Sequence, residues 1–311
     1  MKTVCITGGA GFIGSNLVRR CLELGYEVKV IDDFSTGRFA NLADIDSEIE
    51  LVEADIRETD EIKPVLKQCE LIFHQAAMPS VPRSMADPSR TTDITLMGTV
   101  KLLETAVEAG VERVVYASSS SIYGNQPGFP RSEDMSPQPE SPYAASKASC
   151  ELFGRVFANN FPIETVGLRY FNVFGPRQDP DSDYAAVVPS FISSLLTASQ
   201  PVIYGDGEQS RDFTYVEDVV EANIIAGEKG KNGRVYNVAY NDRTSVNQLF
   251  TMIKEITNSD IEPRYDPPRS GDVRCSFGDD RLFKKETGFQ PAYSVKEGLE
   301  KTVEWYRNNE I

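Results

Sequence analysis

Two hydrophobic periods alternate along the chain. Short apolar runs, rich in β-branched residues, fall at 3–6, 27–31, 49–53, 71–74, 113–118 and 234–238. Their length and their polar or glycine flanks predict strands. Between them, apolar positions return every three or four residues over 15–22, 60–67, 99–109 and 143–159, which predicts helices. Strand followed by helix, repeated, implies a parallel sheet covered on both faces: an α/β fold with a doubly wound sheet. The prolines crowded into 126–142 predict a loop leading into the last of these helices, because they lack the donors that a helix or central strand needs.

Between the first strand and the first helix stands Thr7-Gly8-Gly9-Ala10-Gly11-Phe12-Ile13-Gly14. That order offers backbone N–H groups and a helix N-terminus to a pyrophosphate, as in a Rossmann-type sheet. The second strand ends in Asp32-Asp33, at the spacing where a carboxylate accepts the hydroxyls of an adenosine ribose, so NAD is expected rather than NADP. Asp55, Ile56, Gln75, Ala76, Ala77 and the serines 118–121 also follow strands, where ligands of such sheets bind.

Tyr143 and Lys147, four residues apart, share one face of the predicted helix. A tyrosine ionises near pH ~10, so acid–base work at neutral pH needs a nearby cation, and Lys147 is expected to supply it. Serines before the pair, Ser118, Ser119 and Ser121, complete a set of hydroxyls able to share a proton with a substrate.

With the glycine turn, the serine run and Tyr143-x-x-x-Lys147 in this order, the chain resembles the extended short-chain dehydrogenase/reductases over nearly its whole length, and among them the nucleotide-sugar epimerases. The resemblance implies that Tyr143 takes the proton of a sugar 4-hydroxyl with Ser119, that Lys147 tunes the tyrosine and holds the nicotinamide ribose, and that NAD is regenerated in each cycle. It extends the cofactor wall to Gly8, Gly11, Phe12, Ile13, Gly14, Ser35, Thr36, Gly37 and Phe171, and to Thr95, which stands where relatives commonly carry asparagine. For a UDP-sugar substrate it implies Arg83, Ser84, Ser121, Asn172, Val188, Tyr204, Arg211, Arg269, Asp272 and Ser276. Ser276 replaces the bulky tyrosine of glucose-restricted members, so room for an N-acetyl group is expected, with UDP-GlcNAc and UDP-GalNAc as the pair.

Other outcomes on this site are narrowed by what is missing. The serine loop lacks the Asp-Glu pair of the 4,6-dehydratases and the glutamate of the decarboxylases, and His74 is the lone histidine. A UDP-glucuronate 4-epimerase, a net oxidoreductase and, from another class, a catalytically idle NAD-binding regulator share the remaining residues.

Composition adds limits. With 47 acidic against 32 basic residues, the net charge of −15 argues against nucleic acid or an anionic membrane as partner. No apolar run approaches the ~20 residues of a membrane helix, and the amino terminus leads straight into the first strand, so a cytoplasmic protein is expected. Cys5, Cys21, Cys69, Cys150 and Cys275 lack metal or disulfide spacing, and no metal is expected. The expected division is interleaved: 1–171 plus about 212–245 for NAD, and about 172–211 plus 246–311 for the nucleotide sugar. The resemblance to the epimerases also implies a homodimer, through the helices at 99–109 and 143–159.

Overall fold

A computed structural model describes residues 2–180, 186–268 and 274–309. Strands β1 (Thr3–Thr7), β2 (Glu27–Asp32), β3 (Ile49–Glu53), β4 (Leu71–His74), β5 (Arg113–Ser119), β6 (Glu164–Tyr170) and β7 (Arg234–Val238) form one parallel sheet in the order β7-β6-β5-β4-β1-β2-β3. The winding reverses between β1 and β4, and the carboxyl ends of those strands therefore open a crevice. The expected doubly wound α/β sheet is present.

Helices α1 (Phe12–Glu23), α2 (Thr59–Leu66), α3 (Gly98–Ala109), α4 (Pro142–Asn160) and α5 (Val216–Lys229) cover the sheet. Side chains alternate across a strand, so Val4 and Ile6 enter one core with Leu17, Val18, Val219 and Ala222. Cys5 enters the opposite core with Ile62, Leu66, Leu102 and Ala106. Each large aliphatic side chain removed from water in this way contributes about 1.5–3 kcal/mol. Among the described residues no helix is long and apolar enough to cross a membrane.

One strand was absent from the sequence expectation. β6 lies between β5 and β7, but Gly167 and Arg169 interrupt its apolar pattern. Both interruptions have causes outside the strand. A Cβ on Gly167 would stand 2.7 Å from the Tyr116 hydroxyl oxygen of the neighbouring strand, and Arg169 is paired with Glu151 of α4.

The start of α4 follows its residues closely. Ser141 accepts the Ala144 N–H at 3.2 Å, and Pro142 occupies the first turn, where its missing donor is harmless. Away from the main sheet, Thr244–Ser245, Ser210–Arg211 and Cys275–Ser276 make a small three-stranded sheet in which Arg211 and Ser276 are register partners.

Candidate active site

At the crevice the turn after β1 passes under the end of β4. Gly8 has φ of +69°, and a Cβ there would lie 2.7 Å from the Ala76 nitrogen, so only glycine allows this approach. A Cβ on Gly14 would lie 2.1 Å from the Gly8 carbonyl oxygen, which ties α1 tightly to the turn. The result is a cleft of about 970 Å³ with the N-terminus of α1 on its wall.

Most expected cofactor residues border this cleft: Gly8, Gly11, Phe12, Ile13, Gly14, Asp32, Asp33, Ser35, Thr36, Gly37, Asp55, Ile56, Gln75, Ala76, Ala77, Ser118, Tyr143 and Lys147. Asp32 is 6% exposed, and its carboxylate accepts the N–H groups of Ala10 and Phe34, each at 2.9 Å. Burial raises its pKa while the two N–H groups oppose the rise. Arg38, close by in sequence, pairs instead with Asp179 at 2.6 Å. Asp55 is engaged by Arg57 at 2.5 Å, which holds its carboxyl below the usual range. Thr95 and Phe171 lie outside the cleft wall. Thr95 is fully buried and accepts the Met78 N–H at 3.2 Å, and Phe171 packs with Ile122, Tyr123 and Ala239.

The chemistry-bearing side chains meet where α4 crosses the end of β5. Tyr143 stands beside Ser119, which favours its ionised form, and the Ser119 Oγ accepts the Ser121 hydroxyl at 2.8 Å. Lys147 Nζ donates to the Ala117 carbonyl at 2.8 Å. The expectation that Lys147 depresses the tyrosine is not met within the protein alone. Burial pushes Tyr143 up to about 12 against the opposing influence of Ser119, and burial also disfavours the Lys147 charge. His74 is held between the Thr7 and Thr99 hydroxyls at 2.7 and 3.0 Å, and burial beside the Lys147 charge pushes it down to about 3. It is therefore neutral at physiological pH and lies in the sheet's interior.

On the substrate side the placements are uneven. Arg83 borders the cleft, whereas Ser84 is buried and donates to the Val81 carbonyl at 2.7 Å. Asn172 is exposed just beyond β6, and Val188 is 1% exposed in the core. Tyr204, Arg211 and Ser276 are each half-buried on short strands of the second lobe. Arg269 and Asp272 lie outside the described residues.

Residues 4–239 match the NAD dependent epimerase/dehydratase family. The chain belongs to that family. It is 42% identical over 317 residues to the UDP-glucose 4-epimerase of Mycolicibacterium smegmatis, with 99% of each chain covered. Among solved structures, the UDP-glucose 4-epimerase of Thermotoga maritima with UDP-glucose has a TM-score of 0.94 at 39% identity, covering 98% of this chain and 99% of that one. The UDP-N-acetylglucosamine 4-epimerase of Methanobrevibacter ruminantium M1, in complex with UDP-N-acetylmuramic acid, has a TM-score of 0.94 at 40% identity, covering 99% and 98%. The protein is an NAD-dependent enzyme, an isomerase of the sugar-nucleotide 4-epimerase type.

As an epimerase-family cofactor site the cleft fits NAD: a glycine cradle and a helix N-terminus suit the pyrophosphate, and an acceptor carboxylate at the end of β2 suits an unphosphorylated ribose. Part of its wall had no motif to announce it. Arg177, Trp305, Tyr306 and Asn309 border the same cleft. Arg177 donates to Asn16 Oδ1 at 2.8 Å, and burial together with Arg19 pushes it down to about 10. Tyr170 and Gln75 are joined through Asn223, which accepts from them at 3.0 and 3.1 Å.

Proposed function

We propose that the enzyme interconverts UDP-GlcNAc and UDP-GalNAc at C4, with UDP-glucose and UDP-galactose as smaller substrates of the same site. Tyr143 takes the proton of the 4-hydroxyl and later returns it, with Ser119 orienting the exchange. Lys147 anchors the end of β5 beside them. NAD, when bound, supplies the hydride acceptor and gives the hydride back, so the cycle has no net redox change. The 4-keto sugar turns between the two transfers, and proton and hydride both return to it. The regulator reading is disfavoured because Ser119, Tyr143 and Lys147 stand together in reactive order.

The observation that carries the sugar choice is Ser276, a small residue paired in register with Arg211. Arg211 suits a pyrophosphate through its guanidinium fork, and a serine opposite it leaves volume for an N-acetyl group. Incubation with each sugar nucleotide, without added NAD, tests the reading. UDP-GalNAc should form from UDP-GlcNAc, and Ser276→Tyr should suppress that reaction at least tenfold while sparing UDP-glucose, a loss typical of a pocket clash of about 1–3 kcal/mol. Equal loss on both sugars removes Ser276 as the gate.

The interleaved division, 1–171 with about 212–245 against about 172–211 with 246–311, is supported by β7, which returns late in the chain to the edge of the main sheet. A homodimer built on α3 and α4 is supported by the apolar outer face of α4, where Leu152 is 67% and Val156 is 49% exposed. Sedimentation should give twice the chain mass, and Leu152→Glu should return it to the single mass. A wild-type chain that sediments as a monomer rejects the dimer. Five free cysteines suit a reducing cytoplasm.

A further inference from the structure

A buried ion pair stands directly behind the serine loop and touches both of its ends. Glu151 and Arg169 are joined by two hydrogen bonds, Nε to Oε1 at 2.9 Å and Nη2 to Oε2 at 2.7 Å, and their side chains are 8% and 6% exposed. At the entry to the loop, the Ser118 hydroxyl donates to Glu151 Oε1 at 2.5 Å. At the exit, Arg169 Nη1 donates to the Tyr123 hydroxyl at 2.7 Å, and that hydroxyl donates in turn to Asn237 Oδ1 of β7 at 2.7 Å. Arg169 is also the register partner of Ser118 across β5 and β6. The segment between these two anchors carries Ser119 and Ser121.

The same helix also holds the end of β5. Tyr143, Lys147 and Glu151 recur at intervals of four along α4, one above another on a single face. Lys147 and Glu151 engage the Ala117 carbonyl and the Ser118 hydroxyl, and Tyr143 stands beside Ser119. A carboxylate and a guanidinium in a dry interior are tolerated when each satisfies the other and the remaining donors and acceptors are filled. Here the remaining capacity is spent on the two ends of one loop.

We propose that Glu151 and Arg169 are positioning residues, which clamp Ser118 and Tyr123 and thereby hold Ser119 in place beside the Tyr143 hydroxyl. The clamp rests on the roles given above to Ser119 and Tyr143. Loosening it draws Ser119, the neighbour that favours phenolate, away from Tyr143, so the pH needed to ionise Tyr143 rises.

Ser118→Ala and Tyr123→Phe test the clamp while leaving the ion pair whole. Tyr123→Phe should keep its NAD content and a KM within about twofold, and both variants should lose on the order of tenfold in kcat and shift the alkaline rise of kcat to higher pH. Ser118→Thr, which restores a hydroxyl, should recover kcat. Wild-type kcat and an unmoved pH profile in both variants overturn the proposal, even if the melting temperature falls. A drop in NAD content in Tyr123→Phe, at a residue that does not border the cleft, overturns it too. Failure of the underlying reading is separable: there Tyr143→Phe itself would retain wild-type turnover.

Discussion

Tyr143→Phe should lower kcat by about 10²- to 10⁴-fold, the usual worth of a positioned acid–base group. The phenyl ring keeps the packing of the first turn of α4, and only the hydroxyl beside Ser119 is removed. NAD content and KM should therefore stay near wild type, as product chromatography and cofactor release on denaturation would measure. The wild-type enzyme should also gain rate as pH rises, because burial carries Tyr143 up to about 12 and the base form appears only as the proton leaves. That rise should vanish in the variant. A variant with more than about a tenth of wild-type turnover would assign the base elsewhere, and His74, pushed down to about 3, could not hold the proton in its place.

The largest expected loss of stability comes from Arg169→Met. It leaves the Glu151 carboxylate buried without its counter-ion, a change worth about 3–5 kcal/mol. Denaturant unfolding of the NAD-loaded protein would report it as a lower midpoint at unchanged slope. Adding Glu151→Gln removes the stranded charge, so the double variant should regain most of the loss. If the double variant is as unstable as Arg169→Met alone, the pair's contribution is packing and not charge.

Local signals in the chain reached far into this fold. The apolar runs at 3–6 and 27–31, the glycines between them and Asp32 are contiguous features, and their positions in the crevice follow from strand–turn–helix geometry alone. The spacing of Tyr143 and Lys147 likewise placed both on one helix face. What escaped detection depends on distant partners. Arg169 breaks the pattern of β6 because its counter-ion sits on α4, and Gly167 because a tyrosine ring lies across it. Arg177 and Trp305 reach the cleft from segments more than a hundred residues from the glycine turn, and no local period records such a meeting. Ser84 and Val188 are buried, and a match to a family position carries no information about whether the side chain is turned inward.

The contact between Arg38 and Asp179 joins two walls of the cleft that are otherwise remote in the chain. Both side chains are partly exposed, so dissolved salt weakens the link. With that link weakened the two walls are held together less firmly, and exchange of a bound dinucleotide with the surrounding pool should quicken as ionic strength rises. At low salt the enzyme would turn over on one resident molecule of NAD, indifferent to whether the cell around it is oxidised or reduced.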